Sequence, residues 1–395
     1  MRVLISGAGI AGPTLAYWLL QYGYEPILIE SAPHVRTGGY VIDFWGAGYD
    51  VADRMGLLPE IHHKGYVVQE VRVVGPSGKR LAGFPADVFS RMMRGRFVSL
   101  PRGDLAASIF DTIKDRVEVI FGHTLKRVEQ TEEGVVVTYE SGETRQFDLV
   151  VGADGLHSRV RQLVYGEQNR FERYLGYKVA AFEIKGYRPR DELVYVMYTQ
   201  VGRQVVRFAM HDDRTMFLFT FADEDIKVID SAEAQKAALR ERFGDAGWEC
   251  AKILQALDTC NALYFDRVSQ IQMNQQSGLW TRGRVTLVGD AACCVSLLAG
   301  QGSALAMVAA YILAGELHRA NGDYVAAFTR YQDLFAPFVL KKQKAALRFA
   351  GTFAPKSEFA LFLRNQIFRL MAVPGIANLA VGRDLADAIV LPDYE

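Results

Sequence analysis

The sequence contains few cysteines, has no net charge and lacks a long apolar run. Four cysteines in 395 residues are too few for a disulfide scaffold. Lysine plus arginine and aspartate plus glutamate both number 45, so the charge gives no indication of binding to nucleic acid or to acidic membranes. Apolar runs such as residues 304–313 are too short to span a bilayer. A strand pattern that begins at Arg2 leaves no room for a signal peptide. We therefore expect a cytoplasmic protein without stable membrane association.

A glycine-rich turn lies near the start of the chain. It reads Gly7-Ala8-Gly9-Ile10-Ala11-Gly12, follows a strand pattern at residues 3–6 and opens a helix pattern at residues 13–21. Glu30 ends the next strand pattern, where a dinucleotide-binding fold places the acid that binds ribose hydroxyls. A carboxylate there repels a ribose 2′-phosphate, so we expect the nucleotide at this site not to be NADP. The alternative is a glycine turn used only for tight packing.

Two later motifs repeat the pattern of an apolar strand that ends at an acid. Residues 149–151 lead to Asp154-Gly155, after which Ser158 is positioned to cap a helix. A third strand pattern delivers Gly289-Asp290, followed by the glycine loop Gly300-Gln301-Gly302. Each motif alone could be a structural turn. Because ligands of open α/β sheets collect at the carboxyl ends of the strands, the three together predict one large nucleotide cofactor.

The distribution of strand and helix patterns predicts an α/β fold with an interrupted cofactor domain. Residues 68–97 and 170–275 are rich in β patterns, and they separate segments that belong together. We predict a Rossmann-like cofactor-binding domain of residues 1–70, 98–169 and 275–322, an inserted substrate-binding sheet domain of residues 71–97 and 170–274, and a C-terminal helical region of residues 323–395.

The order of these three motifs resembles that of the FAD-dependent aromatic hydroxylases, the single-component flavoprotein monooxygenases built like p-hydroxybenzoate hydroxylase. The resemblance covers essentially the whole chain. Within that family the sequence is most similar in pattern to the tetracycline destructases, on the basis of residues 36–43, 102–105 and 299–302.

The resemblance implies roles for single residues. Gly7, Gly9 and Gly12, with Ala11 in the same turn, would receive the FAD pyrophosphate, and Glu30 the adenosine ribose. Arg102 would contact the flavin side, Asp290 the ribityl chain, and Asp43 would lie near the cofactor. Arg36 is implied in NADPH contact, and Asp154 in contact with both FAD and NAD(P)H. The Gly289 turn would present Asp290, and the N–H groups of Gly300, Gln301 and Gly302 would face the negative charge of reduced flavin.

The implied activity is that of a monooxygenase with tight, non-covalent FAD, NAD(P)H as a transient reductant and O₂ as co-substrate. One oxygen atom would be inserted into an aromatic or polyketide-like small molecule. The alternatives are a tetracycline-inactivating monooxygenase and a flavoprotein that shields a reactive intermediate without oxygenating it. The cofactor supplies the oxygen chemistry, so no side chain is assigned as a catalytic acid or base. We expect a monomer or weak dimer.

Several positions depart from the family pattern or leave two interpretations open. Ser31 stands where many relatives have arginine, and Ala304 where asparagine is common. Cys293 and Cys294 are expected to be small apolar residues rather than redox or metal-binding groups. The strand residues Phe217 and Phe219 would line an aromatic pocket or belong to the core, and Arg207 would meet an anionic substrate or lie on a solvated face. An amphipathic run at residues 359–371 would pack across both domains or touch a membrane.

Overall fold

The computed structural model describes residues 1–36, 38–227, 229–260, 262–273, 279–297, 300–371 and 389–394, with the backbone alone at 89 and 348–353. The predicted domain boundary at 274/275, Ala299 and residues 372–388 of the predicted C-terminal region lie outside the described residues.

The strands follow one another along the chain as β1 (Arg2–Ser6), β2 (Glu25–Glu30), β3 (Val41–Trp45), β4 (Glu70–Val74), β5 (Arg80–Pro85), β6 (Phe97–Pro101), β7 (Glu118–Phe121), β8 (Leu125–Gln130), β9 (Val135–Tyr139), β10 (Thr144–Phe147), β11 (Leu149–Gly152), β12 (Glu172–Lys185), β13 (Val194–Gln200), β14 (Arg203–Ala209), β15 (Arg214–Ala222), β16 (Tyr264–Ile271), β17 (Thr281–Arg282) and β18 (Val285–Leu287).

The helices are α1 (Ala11–Gln21), α2 (Ala47–Arg54), α3 (Leu58–Lys64), α4 (Asp87–Met92), α5 (Arg102–Asp111), α6 (Arg159–Tyr165), α7 (Ala232–Phe243), α8 (Cys250–Ala256), α9 (Asp290–Cys293), α10 (Gly302–Arg319), α11 (Tyr324–Phe353) and α12 (Glu358–Leu370). Two short 3₁₀ helices cover Gln168–Arg170 and Leu257–Thr259.

A six-stranded sheet carries the sequence motifs. Its order is β17-β18-β11-β1-β2-β7, and every pairing except β17 with β18 is parallel. Its central strands are apolar and buried, as expected for a sheet covered on both faces. Ser6 lies beside Gly152 in register, and Gly152 beside Leu287. The carboxyl ends of β1, β11 and β18 therefore meet at one edge, which brings the three motifs together.

A second, seven-stranded sheet has the order β16-β12-β15-β14-β13-β4-β5. One face of this sheet packs on α7 and α8, and its opposite face bears Tyr195, Phe208 and Met216. The prediction of an α/β fold with a Rossmann-like sheet and a second β-sheet is confirmed. The exact domain boundaries stay a prediction.

Three long helices follow the last strand. The buried helix α10 packs on α1, α2 and α11, and α12 packs on β5 of the second sheet. Among the described residues, no helix combines the length and the apolar character that crossing a bilayer requires.

Candidate functional site: a nucleotide cradle at the strand ends

The glycine turn between β1 and α1 is closed so tightly that side chains cannot enter it. A Cβ on Gly7, which has a φ of 108°, would lie 2.5 Å from the carbonyl oxygen of Ala153. A Cβ on Gly12 would lie 1.9 Å from the Gly7 carbonyl oxygen. Helix α1 begins without a capping side chain and without an acidic residue in its first turn. Its first N–H groups are thus available to an anion such as a pyrophosphate.

Glu30 lies at the end of β2, directly opposite this turn. Its Oε2 accepts a hydrogen bond from the backbone N–H of Ala8 at 2.9 Å, and its Oε1 accepts one from that of Ala32 at 2.9 Å. Ser31 donates its hydroxyl to Oε1 at 3.1 Å, and Arg36 forms an ion pair with the same oxygen at 3.5 Å. Arg36, which is itself mostly exposed, therefore places a positive charge beside Glu30.

Asp154 organises the turn after β11. Ser158 donates its hydroxyl to Asp154 Oδ1 at 2.5 Å, and the N–H of Val160 donates to Oδ2 at 3.0 Å. Ser158 also accepts from the N–H of Arg161 and so caps α6, as predicted. The buried Arg161 donates to the carbonyl oxygen of Ala291 at 2.8 Å, which ties this turn to the third motif. Burial raises the pKa of Asp154, and these hydrogen bonds oppose the rise.

Asp290 and Arg102 face each other across the cradle. Burial raises the pKa of Asp290, and the nearby charge of Arg102 opposes that rise. A Cβ built on Gly9 would lie 3.7 Å from Nη2 of Arg102, and one built on Gly302 would lie 3.7 Å from Oδ1 of Asp290. The acid and the arginine thus lie between the first glycine turn and the start of α10.

The loop before α10 leaves a second helix N-terminus open. Gly300 has a φ of 65°, Gln301 precedes the helix, and Gly302 is its first residue. The helix has no side-chain cap and no acid in its first turn. Two uncapped helix starts therefore face the same edge of the sheet, each with the partial positive charge of its N–H groups.

Asp43 lies where the two-stranded sheet of β3 and β6 meets the seven-stranded sheet. On β3 it accepts a hydrogen bond from the hydroxyl of Ser99 at 2.5 Å and one from the hydroxyl of Tyr195 at 3.3 Å. Ser99 belongs to β6, whereas Tyr195 belongs to the seven-stranded sheet. Burial raises the pKa of Asp43. Sequence reasoning found Asp43 but missed Ser99 and Tyr195, which only the fold brings to it.

Two tyrosines near this cradle were also missed. The rings of Tyr40 and Tyr264 lie 5.5 Å apart between their centroids. Burial raises the pKa of Tyr40 to about 12 and that of Tyr264 well above its usual value, so both phenols stay protonated. The charges of Arg102 and Asp290 act on both tyrosines. The sequence feature that could have identified them is their position, because Tyr264 begins a strand and Tyr40 directly precedes one.

The two neighbouring cysteines are buried thiols. Cys293 donates to the carbonyl oxygen of Gly289, and Cys294 to that of Ser269, both at 3.5 Å. Burial raises the pKa of each thiol well above its ordinary value, so neither is a thiolate nucleophile.

The structure corrects the assignment of Arg207, Phe217 and Phe219 to a substrate pocket. Phe217 and Phe219 are fully buried in the core between the seven-stranded sheet and α7 and α8. Arg207 stands opposite Phe217 on the same face and forms ion pairs with Asp191 and Glu249. It is neither solvated nor open to a ligand. The face that carries Tyr195 lies on the other side of the sheet.

The residues that meet at the strand ends fit FAD. They comprise a cradle that Cβ atoms would fill, two uncapped helix starts, the partly buried acid Asp290 near Arg102, and Glu30 at the end of β2. The three motifs are more than a hundred residues apart in sequence. Their meeting therefore reflects one extended ligand better than three independent turns.

Comparison with known proteins agrees with this arrangement. Residues 1–322 match the family described as FAD binding domain. The chain is similar to a flavin-dependent monooxygenase of Legionella longbeachae serogroup 1 (strain NSW150), with 34% identity over 400 residues, 100% of this chain and 98% of the relative. It is similar in structure to tetracycline destructase Tet(55), with a TM-score of 0.82 and 34% identity over 99% of this chain and 98% of that one. HpxO of Klebsiella pneumoniae, complexed with FAD and uric acid, shares the fold at 23% identity and a TM-score of 0.81, over 98% and 97% of the chains.

Proposed function

The chain belongs to the FAD-binding flavin-dependent monooxygenases, and from this we propose that it uses NAD(P)H and O₂ to oxygenate an aromatic or polyketide-like small molecule. That it is an FAD-dependent flavoprotein monooxygenase follows from the family. The reductant, the use of O₂ and the substrate class are the proposal.

The observation that carries the proposal is the meeting of three remote motifs around one cradle. The Gly7 turn touches the Asp154 turn, Arg161 binds the carbonyl oxygen of Ala291, and Gly302 lies beside Asp290. Only a cofactor that extends from Glu30 to α10 would contact all of these groups.

We propose the following division of work among the residues. The turn of Gly7, Gly9 and Gly12 with the start of α1 would bind the pyrophosphate, and Glu30 would orient the ribose. When bound and reduced, FAD supplies the activation of O₂. The N–H groups at the start of α10 would stabilise negative charge on the flavin side.

Two pairs of side chains, Arg102 with Asp290 and Tyr40 with Tyr264, would lie next to the flavin. Arg102 and Asp290 would hold the flavin side of the cofactor, and the partly buried rings of Tyr40 and Tyr264 would help to exclude water there. No described side chain is assigned as a proton donor to the substrate.

The test is a screen of aromatic compounds with purified, FAD-loaded protein. A substrate should stimulate both NAD(P)H oxidation and O₂ consumption, and the product mass should increase by one oxygen atom. Comparing NADH with NADPH in the same assay identifies the reductant. Slow oxidation that no compound stimulates would instead indicate a flavoprotein that shields an intermediate. Protein that stays colourless and takes up no added FAD would refute the cofactor assignment.

Tetracycline inactivation is a second candidate, because the chain aligns over 99% of its length with tetracycline destructase Tet(55). The expected result is loss of tetracycline absorbance on mixing with enzyme, NADPH and O₂. Absorbance that stays constant while other aromatic compounds are oxygenated would remove this candidate and leave the broader proposal intact.

We also propose that the enzyme works as a monomer or weak dimer in the cytoplasm and does not bind nucleic acid. The balanced charge supports the last point, and the small number of cysteines supports the location. Sedimentation velocity over a range of concentrations, and fractionation of the cells that produce it, would test the first two points. A mobility-shift assay with duplex DNA would test the third.

A further inference from the structure

One buried arginine of this chain has no counter-charge among the described residues. Arg364 lies on α12 and is only 4% exposed. Its Nη1 donates to the hydroxyl oxygen of Thr199 at 3.0 Å, and its Nη2 to the side-chain oxygen of Asn365 at 3.0 Å. Both acceptors are neutral. Its Nε has no hydrogen-bond partner, and no described carboxylate lies within ion-pair distance of the guanidinium.

The arrangement is unfavourable unless an anion completes it. A guanidinium has five N–H donors, and burying it without an opposite charge requires desolvation that two neutral acceptors do not offset. The ring of Phe368, 5.4 Å from the guanidinium carbon, adds only a weak attraction. Burial lowers the pKa of Arg364 to about 10, which still leaves it charged at neutral pH.

Arg364 lies over the sheet face that meets the flavin domain. Thr199 is on β13 four residues after Tyr195, and residues spaced by two or four along a strand share a face. Tyr195 donates to Asp43 of the flavin side. The next turn of α12 agrees with this placement, because Phe368 belongs to the same apolar cluster as Tyr195 and Met197 of this face.

The distance along β13 from Tyr195 to Thr199 gives the length of a ligand that would reach from Asp43 to Arg364. Four residues of extended strand span about 13 Å. That is about the length of three or four fused six-membered rings. A planar polycyclic molecule could thus have one end near Asp43 and an acidic group at its other end near Arg364.

We propose that Arg364 binds the anionic group, a carboxylate or an acidic enol, of an elongated polycyclic substrate. The assignment rests on the proposed function, since it names the substrate class of the same site. It makes Arg364 a binding residue that selects for charge at the end of the substrate remote from Asp43.

The test compares two probes that differ in charge alone. Anthraquinone-2-carboxylate and anthraquinone-2-carboxamide are titrated into the FAD-loaded enzyme, and binding is followed by the change in flavin absorbance or fluorescence. The carboxylate should bind about tenfold or more tightly than the carboxamide, as expected for a buried charge-assisted pair. The variant Arg364→Met should lose this preference, and Arg364→Lys should keep part of it. Arg369→Met on the same helix is the control, because Arg369 is exposed and donates only to the Leu81 carbonyl oxygen and Gln366.

A melting experiment without ligand separates this role from a structural one. If the guanidinium has no internal counter-ion, Arg364→Met removes an uncompensated buried charge and should not lower the melting temperature. A clear decrease would mean that a carboxylate of the protein already pairs with Arg364, which would overturn the proposal. Equal binding of both probes, or of neither, would overturn it as well. Because binding is read without turnover, absence of NAD(P)H-linked O₂ consumption would count against the proposed function and not against this site.

Discussion

Replacing Asp43 by asparagine should stabilise the FAD-free protein and weaken its response to FAD. The hydroxyls of Ser99 and Tyr195 both donate to Oδ1 of Asp43, and an asparagine can offer its amide oxygen at the same position. The substitution thus keeps both hydrogen bonds and removes the charge of a partly buried carboxylate. No described cation forms an ion pair with Asp43, so nothing offsets its desolvation except these two hydroxyls.

The sign of the pH dependence follows from the direction of the pKa shift. Burial raises the pKa of Asp43 above its ordinary value of 3.8. Between that value and the raised pKa the native state binds more protons than the unfolded state, so wild-type stability decreases as pH rises through this window. Above the raised pKa the loss is complete and constant. Each unit of pKa shift corresponds to about 1.4 kcal/mol, from which about 1 kcal/mol is subtracted for the new, unpartnered amide N–H₂ group.

The measurement is thermal unfolding of both FAD-free proteins from pH 4 to pH 8. The melting temperature of the variant relative to that of the wild type should increase from pH 4 to pH 8, and at pH 8 the variant should melt at the higher temperature. Added FAD should raise the melting temperature of the variant less than that of the wild type if Asp43 lies beside the cofactor. Asp53→Asn, at an exposed position of α2, serves as the control. A variant less stable than the wild type at pH 8 would refute the reasoning.

Three further outcomes test other parts of the structure. Gly12→Ala should abolish FAD retention, because the new Cβ would lie 1.9 Å from the carbonyl oxygen of Gly7. Retention is measured as the ratio of flavin to protein absorbance. The control Gly38→Ala should retain FAD, because the space around Gly38 is open. Phe217→Leu should lower the free energy of unfolding by about 1 kcal/mol and leave substrate KM unchanged, and a changed KM would contradict its place in the core. His157→Gln should lower the melting temperature more at pH 6 than at pH 9. The hydrogen bond to Asp266 raises the pKa of His157, so the stabilisation from this pair is lost as pH rises through the raised pKa. The effect should stay below about 1 kcal/mol because His157 is half exposed, and a loss independent of pH would exclude the ion pair as its cause.

The sequence predicted the cofactor cradle because its signals are local. A glycine turn needs its particular residues within six positions. Glu30 ends a short apolar run that indicates a buried strand, and Asp154 and Asp290 each follow such a run. The hydrogen-bond partners of Asp43 were not predictable in the same way. Ser99 and Tyr195 reach Asp43 from two other strands, and no local pattern distinguishes them from other buried polar residues.

The packing around Ala304 is also visible only in the fold. The resemblance leads us to expect asparagine at this position near the start of α10, and the chain has alanine. A Cβ on Gly48 of α2 would lie 2.4 Å from the Cα of Ala304, so the two helices touch through their backbones here. A small residue at 304 fits this contact. The pair is remote in sequence, so neither residue alone indicates the packing.

The second sheet shows why an alternating strand pattern cannot decide function. In β15, Phe217 and Phe219 form one row and Met216 and Leu218 the other, and both rows are apolar. A period of two assigns residues to a common face, but only tertiary structure decides which face meets helices and which meets the flavin side. The aromatic row, a natural choice for a pocket, meets α7 and α8.

Two buried arginines, Arg207 in this sheet and Arg364 on the helix that packs on it, show which observation can indicate a ligand-binding residue. Arg207 and Arg364 are buried to nearly the same extent, at 3% and 4% exposed. Arg207 forms ion pairs with two carboxylates, so its charge is satisfied within the protein. Arg364 has neutral acceptors alone among the described residues. A buried arginine therefore indicates an anionic ligand only after its internal carboxylates have been counted. Since those of Arg207, Asp191 and Glu249, come from distant parts of the chain, that count requires the fold.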